Sequence, residues 1–184
     1  MRRGWLLVVL LLVLLLVVPG GVVLTAVTLK LARDRAATRR ALRDAATRYG
    51  LRPDYVDAIG WVESRWDVAA VNMAGTDGAR GGAHGVTQIT ERTARDHGYT
   101  GTMEALRKDA VLAADWTGRI LSAAHKRRPL TTLADYAAAW NAGRDNADKN
   151  DNGQLEELPV THSTRAHYLP RATAALAIVA AIPV

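Results

Sequence analysis

Apolar and polar positions along this chain alternate with helical spacing almost throughout. Val56, Ile59, Val62 and Trp66 form one stripe of a helix, and Pro53 sets its first turn. Glu63 lies four residues beyond Ile59, on the edge of that stripe, between Trp61 and Trp66. Burial there disfavours the charged form of a carboxylate. The pattern alone leaves two readings open: a structural glutamate paired with an arginine, or an acid tuned for proton transfer.

The remaining pattern is also helical. Leu31 to Tyr49 reads as a helix closed by Gly50, with a thin apolar side of Leu31, Leu42, Ala46 and Tyr49. Residues 72–85 are too rich in glycine for a helix or strand interior and read as a loop or short hairpin. A helix passes through Thr93 and Ala94. Met103 to His125 supplies one or two more, with Leu106, Val111, Leu112, Trp116, Ile120 and Leu121 facing inward, and Pro129 ends them. Leu133 to Trp140 is short, almost wholly apolar and therefore buried. Arg165 to Ile182 forms a last helix with Pro170 near its start. No strand pattern of any length stands out, so the expected class is mainly α.

At the N-terminus the pattern changes. Gly4 to Leu29 is a run of 26 residues without a charge. As a helix it would span about 39 Å, enough for a hydrocarbon core of about 30 Å, although Pro19-Gly20-Gly21 interrupts it. It reads as one transmembrane anchor over residues 1–29; the competing reading is a signal peptide removed near Ala26. Residues 30–49 form a basic helical stalk, and residues 50–184 the domain. Charge counting favours keeping the basic flank inside, whereas a very short basic N-terminus can also stay inside while the body is exported.

Charge sharpens this division. The net charge is +6, but residues 30–49 hold seven basic and two acidic side chains, while residues 50–184 hold fifteen basic and sixteen acidic. A nucleic-acid footprint belongs on the domain itself, so nucleic acid is excluded as a partner and the excess suits anionic lipid headgroups or a solvated helix face. The chain has no cysteine, which excludes disulfides and thiolate metal sites.

Four short motifs follow one another in order. They are Ala58-Ile59 with Glu63-Ser64-Arg65-Trp66, then Gly82-Ala83-His84-Gly85-Val86-Thr87-Gln88-Ile89, then Ala138-Ala139-Trp140-Asn141-Ala142-Gly143, and finally Thr164-Arg165 with Tyr168-Leu169. Together they resemble the lytic transglycosylase (SLT) and goose-type lysozyme family over roughly residues 49–176. The chain departs from the family pattern at the lengthened loop Gly75 to Gly81, at Thr87 for methionine, at Glu91 for proline and at Trp140 for tyrosine. An extra residue also precedes Tyr168.

The resemblance implies a lysozyme-like helical domain that cleaves the β-1,4 bond between N-acetylmuramic acid and N-acetylglucosamine in peptidoglycan. It makes Glu63 the catalytic acid/base, with Ser64, Gln88, Trp140, Asn141 and Tyr168 binding substrate or orienting the acid. A free glutamate titrates near 4.3, and a general acid at neutral pH needs that raised towards about 6. Most glycosidases use two carboxylates, yet the only neighbour, Asp67, reads as helix-end surface. A lone acid suits closure of a 1,6-anhydro ring; hydrolysis by water and an inactive wall-binding module of a secretion, conjugation or phage apparatus are the alternatives. The implied partners are glycan strands and the membrane, with the domain extracytoplasmic, or secreted if the leader is cleaved.

No cofactor is implied, and no metal is assigned to the catalytic site. Asp148 to Leu155 follows the first eight positions of a calcium-binding EF-hand loop, but Pro159 replaces the glutamate at position twelve. Glu156 or Glu157 would have to supply that ligand in a shortened loop. An Asx-rich turn over residues 148–157 is the competing reading.

Overall fold

The computed structural model describes residues 27–73, 82–141 and 164–183, and the chain divides into two compact units, Met1–Arg35 and Ala36–Val184. Of the first unit, residues 27–35 are described; they are helical and exposed. The expected anchor falls almost wholly outside the described residues. Among those described, no helix is long and apolar enough to cross a membrane.

The second unit is mainly helical, consistent with the expected lysozyme-like domain. Helix α1 (27–48) enters it at Ala36 and stops at Gly50, whose φ of +69° a side chain rarely adopts. The Leu51 amide returns to the Ala46 carbonyl at 2.8 Å, the bond that closes a helix through a left-handed residue. There follow α2 (Pro53–Ser64), α3 (Glu91–Asp96), α4 (Met103–Lys108), α5 (Ala110–Arg127) and α6 (Leu133–Asn141). A single π-helical turn, Thr164–Tyr168, then leads into α7 (Leu169–Ala181). Side-chain oxygens of Thr90, Thr102 and Asp109 accept from the first-turn amides of α3, α4 and α5, which fixes where each helix starts.

Three two-residue strands interrupt this pattern: β1 (Val71–Asn72), β2 (Ala83–His84) and β3 (Ile89–Thr90). They pair antiparallel in that order, with Val71 opposite His84 and Ala83 opposite Thr90. Strands of two residues carry no readable period, so the expectation of no strands fails here, while that of a hairpin region near residues 72–85 is met.

The main core joins Leu42, Ala45 and Ala46 of α1 to Val56, Ile59 and Val62 of α2, with Leu121 of α5, Tyr136 of α6 and Tyr168, Ala172 and Ala175 of the C-terminal segment. Helix α7 packs along α2 and also meets α6. A smaller cluster of Ile89, Ala94, Tyr99, Leu106 and Ile120 lies under the strands, and Trp140 packs against both clusters. One inward assignment is corrected: Val111 is 62% exposed. Val111 sits in the first turn of α5, where its amide is held by the Asp109 carboxylate and its side chain points to solvent.

The basic stretch also serves the domain. Arg39 is buried and donates to Asp57 Oδ2 at 3.0 Å. It reaches the carbonyls of Val179 at 3.1 Å and Ile182 at 2.9 Å. Arg43 lies 3.5 Å from Asp57 and Arg48 2.7 Å from Asp115. These three arginines are therefore spent on intramolecular ion pairs, which neither the lipid nor the solvated-face reading anticipated.

Candidate active site

The site is built on the way α2 ends. Glu63 is the penultimate residue of that helix, half-buried beside the core stripe. Immediately after Ser64 the backbone turns left-handed at Arg65 (φ +56°) and Trp66 (φ +63°). That turn folds Trp66 back into the core, where its indole donates to the Asp57 carbonyl at 3.1 Å and its ring lies 4.3 Å from the Arg39 guanidinium. Trp61 stays half-buried with its ring 4.8 Å from Trp66. Gly60 makes room for this reversal, since a Cβ there would meet Leu42 Cδ1 at 2.6 Å and Trp66 Cδ1 at 3.2 Å.

The second motif is the tight turn between β2 and β3. Gly85 has φ +77°, and a Cβ on it would lie 2.8 Å from the Leu106 carbonyl, so glycine is required on both counts. Gln88 closes the turn through its amide to the Gly85 carbonyl at 3.1 Å, and takes φ +55° itself. Its side-chain nitrogen donates to the carbonyls of Gly85 at 2.8 Å and Ala70 at 3.2 Å, which leaves Oε1 to offer a ligand. The non-glycine residues with positive φ, among those described, are Arg65, Trp66 and Gln88. All three fall within the first two motifs, as strain held at a functional site would require.

Side chains then tie the pieces together. Ser64 Oγ donates to the Val86 carbonyl at 2.8 Å, joining the end of α2 to the turn. This places Ser64 as a tether, a role the sequence did not suggest. The Trp140 indole donates to the Thr87 carbonyl at 3.1 Å, joining α6 to the same turn. Thr87, standing where the family has methionine, is buried and shares a 2.7 Å hydrogen bond with Thr117. Its hydroxyl is thus satisfied inside the core. Asn141 ends α6 in an exposed position. His84 is half-buried within β2.

Tyr168 completes the centre. It is buried at the end of the π-helical turn, and its hydroxyl donates to Glu63 Oε1 at 2.7 Å. Burial pushes the Glu63 carboxyl above the usual carboxylate range. The Tyr168 hydrogen bond, the charge of Arg171 and the Trp140 indole pull it back without cancelling that effect. The Tyr168 hydroxyl is itself driven well up by burial and by the neighbouring carboxylate, so it remains a donor. Among the described residues, none of the groups that act on Glu63 is a carboxylate.

Two nearby acids are occupied elsewhere. Asp67 is exposed and caps the Ala69 amide at 2.9 Å, as the sequence suggested. Asp57, on the same helix as Glu63, is a buried acid paired with an arginine. Among the described residues no cluster of histidine and carboxylate side chains is fit to hold a metal. The glycine-rich insertion and the EF-hand-like stretch 148–157 lie outside the described residues.

A mainly helical domain carrying a desolvated glutamate, gripped by a tyrosine and tied through Ser64 to a glutamine-bearing turn, has the makings of a glycan-cleaving site. Residues 40–158, well over half of the chain, match the family described as Transglycosylase SLT domain, and the chain belongs to that family. The family's general activity is cleavage of glycosidic bonds in peptidoglycan strands. Neither the curated proteins nor the solved structures give a match. Tyr168, Arg171 and Arg39 all fall outside the matched stretch, so geometry is what joins them to the site. Arg171 and the Arg39–Asp57 pair escaped the sequence reading; the spacing of Tyr168 and Arg171 on one helical face was the available signal for the former.

Proposed function

We propose that this protein is a peptidoglycan lytic transglycosylase in which Glu63 acts alone as acid and then base. The observation that carries this reading is the desolvated Glu63 carboxyl, held at 2.7 Å by Tyr168 and, among the described residues, with no carboxylate acting on it. The protonated carboxyl gives its proton to the glycosidic oxygen as the bond to C1 of N-acetylmuramic acid breaks, and the N-acetylglucosamine leaves as an alcohol. The sugar's own N-acetyl group stabilises the oxocarbenium-like C1. Its 6-hydroxyl then attacks C1 and returns its proton to Glu63, closing a 1,6-anhydro ring with no water consumed. Tyr168 orients the acid, Gln88 Oε1 and Asn141 are offered to the sugar, and Trp140 walls the cleft. On this reading the domain works outside the cytoplasmic membrane, tethered through residues 1–29.

Zymography of the wild type beside Glu63→Gln, with mass spectrometry of the released muropeptides, tests the proposal. Clearing by the wild type alone, with products lighter by one water than reducing-end muropeptides, is expected. Reducing ends throughout would make the protein a hydrolytic muramidase instead. No clearing by either protein would leave a wall-binding module.

A further inference from the structure

The last carbonyls of a helix have no amide of their own to accept from, and α2 satisfies them in two ways. The carbonyls of Gly60 and Trp61 take the amides of Trp66 at 3.2 Å and Arg65 at 2.9 Å through the left-handed turn. The Val62 carbonyl, one residue before Glu63, instead accepts from Arg171 Nη2 at 3.0 Å. Arg171 follows Tyr168 by three residues, so the two side chains leave one face of the C-terminal segment a turn apart. One holds the Glu63 carboxylate and the other the backbone directly before it.

Charge gives this grip a second consequence. Carbonyls at a helix C-terminus amount to about half a negative charge, which opposes an anion on the final turn. Among the described residues, the groups acting on the Glu63 carboxyl are the Tyr168 hydroxyl from the π turn, the Arg171 guanidinium from α7 and the Trp140 indole from α6. Arg171 is the cation in that set, and it lies at the surface. Resting on the reading of Glu63 as acid and base, we infer that Arg171 is a positioning residue of this site. It pins the last turn of α2 and supplies the positive charge that the Glu63 carboxylate meets each time it ionises. A lysine would preserve the charge. A glutamine, two bonds shorter, would lose the charge together with the donor to the Val62 carbonyl.

The test is the pH profile of muropeptide release by the full chain, compared for wild type, Arg171→Lys and Arg171→Gln. It is accompanied by a carbon-13 NMR titration of the Glu63 carboxyl, identified by its loss in Glu63→Gln. Without the positive charge the anion is less favoured, so the proton is held to higher pH. In Arg171→Gln the alkaline limb and the NMR titration therefore both move up in pH, whereas Arg171→Lys keeps them near the wild-type position. Equal losses of activity in both variants with an unmoved titration would reduce Arg171 to a structural cap and overturn the inference. If the wild type clears no glycan, or Glu63→Gln clears it equally, the catalytic reading falls instead. The titration still decides, in that case, whether Arg171 sets the state of the acid.

Discussion

Replacing Arg39 by methionine should unfold this domain at a measurably lower temperature, and the structure says by roughly how much. The Arg39 side chain is 2% exposed and that of Asp57 0% exposed. The guanidinium donates to Asp57 at 3.0 and 3.2 Å and to the carbonyls of Val179 and Ile182. It therefore joins α1, α2 and the end of α7 at one point. Methionine fills similar space but leaves the Asp57 carboxylate buried without its main partner, a change that costs about 3–5 kcal/mol. Arg43, 3.5 Å from the same carboxylate and only partly buried, offsets part of this, so the lower end is expected. At about 2–4 °C per kcal/mol for a chain of this size, Tm falls by about 6–12 °C. Adding Asp57→Asn removes the stranded charge and should recover at least half of the loss. Thermal unfolding followed by circular dichroism measures both. A drop under about 2 °C for Arg39→Met would mean that the carboxylate finds other compensation, and the clamp would lose its assigned role.

Two further outcomes follow from the same geometry. Glu63 is held above its unfolded-state value by burial, so between those two values the native state binds more protons than the unfolded state and stability falls as pH rises. Glu63→Gln lacks that loss. Its Tm should match the wild type near pH 4 and exceed it at neutral pH, and an advantage confined to low pH would contradict the assignment. Gly60→Ala gains about 1 kcal/mol of helix propensity but sets a Cβ 2.6 Å from Leu42 Cδ1, in a side chain that is 0% exposed. Overpacking of this kind costs about 1–3 kcal/mol, so the net effect is a loss, read as a lower urea midpoint. A stabilised variant would show that the reversal after Ser64 is looser than described.

Much of the helical layout was legible because periodicity is a local property. The stripe of Val56, Ile59, Val62 and Trp66 is buried as spaced, Gly50 closes α1, and Pro170 stands in the first turn of α7. Local pattern misjudged residues at element ends. Val111 has the right type and spacing for the core, but the capped first turn of α5 presents it to solvent. The three strands were illegible because two residues cannot display an alternation.

The sequence by itself determined that a carboxylate would sit on the edge of an apolar helix face, and it offered two roles for such a group. The structure gives the arginine-paired role to a different acid of the same helix. Burial raises the carboxyl of each, but Asp57 is paired with an arginine whereas Glu63 is held by the Tyr168 hydroxyl. Only tertiary structure could distribute them. The Arg39–Asp57 contact joins two helices, and Tyr168 reaches Glu63 across 105 residues of chain. Helical spacing fixes which face a side chain occupies. Which partner waits on the other side depends on how whole helices pack, and that partner decides whether a buried carboxylate meets a cation or a neutral hydroxyl.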